Sequence, residues 1–496
     1  MVDTKFTRRA VLGGLAAGTL LAGLRPRAQS DDLVELSIAE SARLMAAGTL
    51  TSVALTRAYL DRIERLEPTI NAFITVTAAT AMAEAEMRDA ERTAGNLRGP
   101  LHGIPIALKD NIDTAGVLTS AASAIYANRV PPTDAECVSR LRAAGAVFLG
   151  KTNMHEFAFG GSSADSHYGP VRNPWNPDYI PGGSSGGSGA AVAARMCAAA
   201  LGTDTAASVR NPAAHCGVTG LKATYGLASI RGIVPLSESV DHVGPITRSA
   251  EDAALMLGAI AGYDPRDVSS IDVTADDYPA AIGRNVSGLR VGVLREQLYP
   301  DVHAEVAAAA DAAADVLASL VSDVSDATMP LPAFEDSLTI IMGDILAYHA
   351  EFLADPTTRA LYQPGVMARF EANSDVPLDA YIKARSRMLV ARKTIHEAFS
   401  DFDVFIAPTV AMPAHRIEDA LNNPPDELLI IRNTIHFNTL GNPVISTPCG
   451  FTSDGLPIGL QIIGPPLGES RVLALAHAYE NATQWSDRRA PPTGKR

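Results

Sequence analysis

Residues 182–188 read Gly-Gly-Ser-Ser-Gly-Gly-Ser, and residues 202–213 read Gly-Thr-Asp-Thr-Ala-Ala-Ser-Val-Arg-Asn-Pro-Ala. The first stretch contains the pattern G-x-S-x-G twice, centred on Ser184 and Ser185, which is typical of a nucleophile elbow between a strand and a helix. The residues before it carry Pro177 and Pro181, which a central strand does not tolerate. A flexible linker is the other interpretation, but linkers do not usually run directly into an apolar helix. The pattern favours a glycine-rich loop that brings its backbone close to reacting atoms.

Two other polar residues stand where a catalytic group could act. Ser208 follows small residues on a turn before Pro212, although a serine in a turn is usually only a cap or a solvated hydroxyl. Lys109 follows the short apolar run 104–108, so a buried strand would deliver it to the edge of a sheet where α/β ligand sites form. A lysine in such a place more often extends to water. Each signal is weak alone.

A third pattern is misleading. Residues 145–152 match the phosphate-binding pattern GxxxxGK[ST]. A true phosphate loop needs a strand before its first glycine and polar backbone around the phosphates. Here the spacer residues themselves form a predicted strand, so nucleotide binding is not expected.

Helical and strand patterns alternate along the chain. We predict helices over residues 51–66 (ending near Pro68), 78–93, 138–144 and 190–200, with a mostly helical region over 330–400. We predict strands over residues 104–108, 146–149, 404–408 and 459–463. This alternation indicates one large α/β domain in which helices flank both faces of a large mixed β-sheet, an α/β/α arrangement.

Taken together, these motifs resemble the amidase signature family, over residues 35 to 480. The run from Gly182 to Gly217 carries most of the resemblance. Supporting matches in the expected order occur at residues 103–111, 150–154, 169–170, 173–175, 220–226 and 457–461. The resemblance implies the amidase signature fold for residues 29–496. Within the family, the pattern is somewhat similar to arylacetamide (indoleacetamide) and mandelamide hydrolases.

The resemblance assigns catalytic roles to three positions. Lys109 becomes the general base, Ser184 a bridging serine with a cis peptide bond, and Ser208 the nucleophile. These roles are chemically consistent, because a hydroxyl needs a neighbouring base and a lysine acts as one only when burial lowers its pKa. The resemblance also implies an oxyanion hole made by the backbone N–H groups of four residues: Thr205, Ala206, Ala207 and Ser208.

Other positions are assigned with open alternatives. Asp204, Arg210 and Gln461 are expected to support the site, although a satisfied buried polar group is at least as good an interpretation of each. Met154, Phe157 and Phe159 are expected either to line the acyl pocket or to pack in the core. The family usually has two glycines where this chain has Ala206 and Ala207, so two methyl groups either narrow the pocket or disturb the loop.

Composition and the N-terminus indicate export. The chain has a net charge of −14 although residues 1–28 are basic, so nothing suggests a nucleic-acid or anionic-membrane surface. Arg8 and Arg9 precede the short apolar run 10–24, which predicts a twin-arginine signal peptide over residues 1–28 and a periplasmic or secreted protein without stable membrane association after cleavage. The sparse cysteines are predicted to be buried free thiols, and the scattered histidines to be packed residues rather than metal ligands.

The functional prediction is hydrolysis of a small carboxamide, with an aryl or apolar acyl group preferred, to an acid and ammonia or an amine. No metal or organic cofactor is implied, and the expected partner is the small substrate; a homodimer stays open. Three rivals remain: an A subunit of an amidotransferase, a non-catalytic binding protein of the same fold, and a Ser–His–Asp esterase.

Overall fold

The computed structural model describes residues 31–422 and 428–491. The predicted signal peptide at residues 1–28 lies outside these ranges. Within them, eleven strands form a single sheet in the order β1-β3-β2-β4-β6-β5-β10-β11-β9-β7-β8. The strands are β1 Phe73–Val76, β2 Pro105–Lys109, β3 Val147–Thr152, β4 Ala199–Asp204, β5 Thr219–Lys222, β6 His242–Thr247, β7 Arg290–Val293, β8 Asp323–Asp326, β9 Val404–Pro408, β10 Val444–Phe451 and β11 Pro457–Ile463.

Helices cover this sheet on both faces. In chain order they are α1 Ile38–Ala46, α2 Ser52–Ile70, α3 Ala78–Thr93, α4 Glu136–Ala143, α5 Gly186–Ala193, α6 Arg210–Cys216, α7 Ala250–Ile260, α8 Arg295–Leu298, α9 Ala304–Ala318, α10 Phe334–Ala354, α11 Pro356–Arg359, α12 Pro364–Ala372, α13 Leu378–Thr394, α14 Ile417–Asn422, α15 Leu428–Ile431, α16 Ile435–Leu440 and α17 Glu469–Thr483. The predicted α/β class with a large mixed sheet is therefore confirmed.

The sheet combines parallel and antiparallel pairs. Strand β2 runs parallel to both β3 and β4, whereas β4 pairs antiparallel with β6, and β10 with β11. Since β2 and β4 are parallel neighbours, their carboxyl ends meet at one edge of the sheet, and loops after those ends are the usual place for an α/β site.

Two predicted helix boundaries were wrong. Helix α2 continues through Pro68 to Ile70 and ends at Asn71, whose left-handed conformation (φ 56°) caps it. The apolar run at 190–200 is divided between the end of α5 and the start of β4, because continuous small apolar residues show no period that separates a helix from a buried strand.

The glycines before that run belong to the helix. Helix α5 begins at Gly186, and a side chain on Gly187 would collide with the carbonyl oxygens of Ala72 and Asn153. Glycine at this position therefore permits close packing of the helix against neighbouring backbone. The glycine-rich stretch is thus part of a packed core element rather than a linker.

Helix α10 has the length and apolar composition of a membrane-spanning helix. However, Ile340 and Ile345 are completely buried in the protein, and the helix packs against α13. These contacts are those of a core helix in a folded domain.

Candidate active site

Lys109 is the last residue of β2 and is completely buried. Its Nζ lies 2.7 Å from Ser184 Oγ, 2.8 Å from Thr203 Oγ1 and 3.5 Å from the Thr203 carbonyl oxygen. Burial lowers the pKa of Lys109 to about 7, although the negative charges of Asp241 and Asp204 act to raise it. A substantial fraction of the amine is therefore neutral near pH 7.

The contacts of Lys109 suit the neutral amine. A neutral amine has two N–H donors and one lone pair. The two oxygen atoms of Thr203 can accept the N–H groups, which leaves the lone pair facing Ser184 Oγ. Lys109 can then accept a proton from the Ser184 hydroxyl.

Ser184 lies in the glycine-rich loop that leads into α5 and is also completely buried. A cis peptide bond joins it to Gly183, as the resemblance implied. The Ser184 carbonyl oxygen accepts hydrogen bonds from His155 N (3.1 Å) and Ser163 Oγ (3.2 Å), and the Gly183 carbonyl accepts one from Asn211 Nδ2 (3.1 Å). The loop is held on both sides, so the Ser184 hydroxyl keeps its position beside Lys109.

Ser208 lies in the short loop between β4 and α6 and is 8% exposed. Its carbonyl oxygen accepts a hydrogen bond from Ser185 N at 3.2 Å, which joins its loop to the glycine-rich loop. Its Oγ makes no hydrogen bond to any residue within 31–422 or 428–491, and Ser208 lines a cavity. A hydroxyl that is open to a cavity can reach a substrate carbonyl.

Four backbone N–H groups of the same loop are also free. The N–H groups of Thr205, Ala206, Ala207 and Ser208 donate to no acceptor in the part of the chain that the structure describes. Buried backbone donors nearly always have a partner, so a run of free ones beside a cavity is a candidate oxyanion hole.

Asp204 and Arg210, at the two ends of this loop, are joined to each other by an ion pair and hydrogen bonds. Asp204 Oδ2 accepts from the backbone N–H groups of Val209 (3.1 Å) and Arg210 (3.3 Å), and the two side chains form an ion pair at 2.9 Å with both side chains completely buried. Burial alone would raise the pKa of Asp204, but the Arg210 guanidinium and further hydrogen bonds hold it well below its usual range. Asn438 Nδ2 donates to Asp204 Oδ1 at 2.8 Å. Both residues predicted as supports lie directly against the loop.

Asp241 is a further support that the sequence did not reveal. Its Oδ1 accepts from Thr205 Oγ1 at 2.5 Å, and its Oδ2 accepts from the backbone N–H groups of Leu236 and Ser237. Burial raises the pKa of Asp241 to about 7, opposed by these hydrogen bonds. The contact joins residues 36 positions apart, so no local pattern could have indicated it.

The cavity beside Ser208 has a volume of about 200 Å³ and mostly apolar walls. Ala206 and Ala207 form part of it, and neither adopts a positive φ. The alanine side chains therefore narrow the cavity without demanding a glycine conformation from the loop. The rest of the lining comes from several segments, including residues 158–161 and α10: Ala158, Phe159, Gly160, Gly161, Gly183, Leu236, Leu338, Ile341, Met342, Arg369, Asn373, Leu428 and Ile431.

The three residues predicted to line the pocket do not lie together in the structure. Phe159 is on the cavity wall, whereas Met154 and Phe157 belong to a buried apolar cluster with Tyr362 and Phe370. For Met154 and Phe157 the structure therefore shows core packing. Gln461 makes no hydrogen bond to the three catalytic candidates: it lies in β11 and donates to the carbonyls of Asn433 (2.6 Å) and Pro408 (3.3 Å).

Residues considered for other chemistry are accounted for by packing. Lys151 of the phosphate-loop lookalike is buried in β3 and donates to Ile112 O (2.6 Å) and Thr119 Oγ1 (2.7 Å). The cysteines at 137, 197, 216 and 449 are buried free thiols, as predicted. In the described ranges, no group of three or more His, Cys, Asp or Glu side chains is arranged to bind a metal ion.

The esterase alternative has no support in these contacts. Ser185 Oγ donates to Thr203 O at 3.2 Å. Among the described residues, no histidine side chain contacts the hydroxyl of Ser184, Ser185 or Ser208. His155 is hydrogen bonded to Ser163 N (3.2 Å), and burial lowers its pKa well below the usual value.

Comparison with known proteins agrees with this geometry. The model of the Amidase family matches residues 54–473, which is most of the chain. The chain belongs to the Amidase family.

Known relatives within this family differ in their roles. The chain is 38% identical over 484 residues to the A subunit of glutamyl-tRNA(Gln) amidotransferase from Geobacter sp. (strain M21), covering 93% of this chain and 100% of that protein. Among solved structures, a chain from a vestigial protein complex connected with the origins of an s-triazine catabolic enzyme has a TM-score of 0.84 and 34% identity, covering 90% of this chain and 99% of that one. The peptide amidase from Stenotrophomonas maltophilia has a TM-score of 0.80 and 35% identity, covering 93% and 99%. The sequence relatives favour the amidotransferase alternative over a free amidase.

Proposed function

We propose that this chain cleaves a carboxamide through an acyl-enzyme on Ser208. The observation that carries the proposal is the 2.7 Å contact between Lys109 Nζ and Ser184 Oγ. It is close in the fold to a cavity lined by Gly183 and Ser208, and four N–H groups of the Ser208 loop donate to no acceptor among the described residues. These are a base, a hydroxyl relay, a nucleophile and an oxyanion site, which together make a complete set for acyl transfer. The same set argues against a protein that only binds.

The proposed reaction starts from neutral Lys109. The Ser208 hydroxyl, which makes no hydrogen bond to the described residues, first turns towards Ser184 Oγ. The amine then takes the Ser184 proton as Ser184 takes the Ser208 proton, and Ser208 Oγ attacks the amide carbonyl. The carbonyl oxygen becomes an oxyanion that the four backbone N–H groups stabilise. The proton returns through Ser184 to the leaving nitrogen, and ammonia or an amine departs as the carbon–nitrogen bond breaks. A water molecule then hydrolyses the ester on Ser208 by the same proton route.

The cavity favours a substrate with an apolar acyl group. Phe159, Leu338, Ile341 and Met342 supply large apolar surfaces, and Arg369 is the charged member of the described lining. An apolar lining gives little discrimination by hydrogen bonding and selects by size and shape. An arylacetamide of modest size fits this description.

The second candidate is the A subunit of a glutamine-dependent amidotransferase, which the sequence relatives favour. Its chemistry at Ser208 would be the same, with glutamine as the amide and ammonia delivered to a partner rather than released. Glutamine carries both a carboxylate and an ammonium group, and buried charges require partners. Arg369 carries the positive charge of the described lining but is already ion-paired with Asp165 at 3.5 Å, and none of the described lining residues is acidic.

Two substrates given to the purified chain separate these candidates. We expect hydrolysis of phenylacetamide by the chain alone, with kcat/KM at least about tenfold above that for glutamine because the lining is apolar. A preference for glutamine, or activity that appears only with a co-purified partner, would establish the amidotransferase role instead.

Fluorophosphonate labelling with peptide mass spectrometry tests the nucleophile without knowledge of the substrate. We expect an adduct on Ser208 that is lost in Ser208→Ala and in Lys109→Ala. The matched control is Ser185→Ala, whose hydroxyl is bonded to the Thr203 carbonyl, and which should still be labelled at Ser208. An adduct on Ser184 or Ser185 that does not depend on Lys109 would overturn the proposed mechanism.

We also propose export of the folded chain through the twin-arginine route, on the basis of Arg8, Arg9 and the apolar run after them. Expression in a bacterial host should yield periplasmic protein whose N-terminus begins near residue 29. The variant Arg8→Lys/Arg9→Lys should stay in the cytoplasm. Periplasmic protein from that variant would contradict the proposal.

A further inference from the structure

A second cavity of about 560 Å³ lies on another side of the oxyanion loop. Residues from segments 225–241 and 266–271 and one face of α13 line it, and it shares no lining residue with the Ser208 cavity. Asp241, which holds Thr205, forms part of its wall. The acyl-transfer chemistry described above makes no use of this space.

Two arginines of α13 face this cavity with only neutral partners. Arg392 donates to the carbonyls of Thr439 (2.8 Å) and Ser239 (2.9 Å), and its guanidinium carbon lies 4.1 Å from the centre of the Tyr225 ring. Arg385 donates to Ser239 Oγ and to Tyr381 Oη (3.2 Å). All hydrogen bonds of both guanidinium groups within the described residues go to uncharged oxygen atoms. Two adjacent cations at a cavity wall are a favourable place for an anion.

The other arginines of the cavity are already neutralised. Arg231 and Arg266 both form ion pairs with Asp264 and Glu136, at 2.6 to 3.0 Å. The positive charge that is available to a ligand therefore lies at the α13 end of the cavity.

Three carboxyl groups also belong to the lining. Asp267 accepts hydrogen bonds from Ser229 Oγ, Ser269 Oγ and Ile230 N. Asp241 accepts hydrogen bonds from Thr205 Oγ1, Leu236 N and Ser237 N. Glu238 is exposed at the rim. None of the three is within ion-pair distance of Arg385 or Arg392 in the described residues.

The remaining wall is largely apolar. It consists of Ile230, Ile233, Pro235, Ile271, Met388 and Leu389. Leu389 is 57% exposed, so a ligand that reached the arginines would cover apolar surface that now faces solvent. Such a cavity suits a molecule that has an anionic end and an apolar body.

We propose that this cavity binds a small organic carboxylate, with its carboxylate against Arg385 and Arg392 and its apolar body between Ile233 and Leu389. A carboxylate matches the planar donor arrangement of guanidinium groups and can bridge two of them. The site stands independently of catalysis at Ser208, so its test does not depend on the proposed function.

Isothermal titration calorimetry with phenylacetate tests the proposal. The protein is the Ser208→Ala/Ile341→Trp variant, in which the tryptophan fills part of the Ser208 cavity and so weakens binding of the acid there. We expect phenylacetate to bind this protein and neutral phenylacetamide to bind at least about tenfold more weakly, because only the acid forms charge-assisted hydrogen bonds. Adding Arg385→Gln should weaken phenylacetate binding roughly tenfold, and Arg392→Lys should weaken it less than Arg392→Gln, because lysine keeps the charge.

The matched control is Arg266→Gln, which removes an arginine of the same cavity that is already paired with carboxylates. Its phenylacetate affinity should stay within about twofold of the parent, because a neutralised guanidinium has little charge to offer a ligand. Melting temperatures establish that each variant is folded, and Arg385→Gln alone decides the question if the Arg392 variants do not fold. Loss of binding in the Ile341→Trp background, or equal affinity in Arg385→Gln and Arg266→Gln, would overturn the proposal.

Discussion

The floor and the wall of the Ser208 cavity are built in different ways. The floor comes from the carboxyl ends of β2 and β4 and from the loops beside them, and Lys109, Ser184 and Asp204 there are completely buried. The wall includes Leu338, Ile341 and Met342 of α10. Helix α10 packs against α13, and α13 exposes Leu378 by 73%. Neighbours enclose the floor, whereas the wall includes the exposed residues Asn373 and Leu428.

Because of this difference, substitutions in the floor and substitutions in the wall should have different effects on activity. A change in the floor alters buried hydrogen-bonded groups, such as Lys109 with Thr203 and Asp204 with Arg210, so it should affect the chemistry for every substrate. A change in the wall alters only the space for the acyl group, so it should affect the choice among substrates. The predictions below test this separation.

The largest effect is expected at Lys109. Lys109→Met removes the proposed proton acceptor and should lower kcat/KM at least about 10³-fold. In the wild type, only the neutral amine can accept a proton, so kcat/KM should rise with pH through the Lys109 pKa of about 7 and then level off. A pH profile of amide hydrolysis measures both effects. In Lys109→Met, any residual activity should lack the rise in kcat/KM between low pH and pH 7. If that rise were unchanged, the titrating group would be a residue other than Lys109.

A large loss of stability is expected at Asp204. Asp204→Asn leaves the buried Arg210 guanidinium without its counter-ion and should lower the free energy of unfolding by about 3–5 kcal/mol. Urea denaturation measures it. Asp31→Asn is the control, because Asp31 is 48% exposed in its pair with Arg65, and such surface pairs contribute little. Equal midpoints for the two variants would show that the Asp204–Arg210 pair does not support the floor.

A moderate effect is expected on the wall. Ile341→Trp should fill part of the 200 Å³ cavity and reduce kcat/KM for an arylacetamide roughly tenfold or more, while activity on acetamide falls less than about threefold. Leu378→Trp, on the exposed helix, is the matched control and should change neither. Comparable losses for both amides would mean that α10 supports the chemistry as well as the space.

The smallest effect is expected from the two alanines of the oxyanion loop. Ala206→Gly/Ala207→Gly should increase kcat/KM for a bulky acyl amide by up to about tenfold and change that for acetamide by less than about threefold, because the methyl groups line the cavity while the loop has no positive φ at these positions. Parallel kinetics with the two amides measure it. A large gain with acetamide would indicate that the alanines disturb the oxyanion hole itself.

Sequence reasoning succeeded where local pattern and chemistry coincide. The strand before Lys109, the strand inside the phosphate-loop lookalike and the strand 404–408 were predictable because short apolar runs ended at polar or proline residues. The catalytic candidates were found through the resemblance of a long, ordered set of motifs. The structure then brings Lys109 and Ser184 within hydrogen-bond distance although they are 75 positions apart.

Other features depend on tertiary contacts that no local pattern contains. Asp241 is indistinguishable in sequence from a solvated turn residue, yet it holds Thr205. Phe157 and Phe159 are two positions apart, yet only Phe159 is among the described lining residues of the cavity. The chain has a positive φ at Phe157 and Ala158, which no local pattern indicates. The boundary between α5 and β4 was missed because it lies within a run of alanines.

Helix α10 also has a practical consequence for changing the enzyme. Its three cavity residues, Leu338, Ile341 and Met342, lie within five consecutive positions of one helix. None of the three takes part in the hydrogen bonds that hold Lys109, Ser184 or Asp204. A combinatorial library limited to these three codons would therefore explore many acyl pockets while every member keeps the same reaction machinery. Selection for growth on different amides as nitrogen sources could then recover enzymes with new substrates from a single short oligonucleotide.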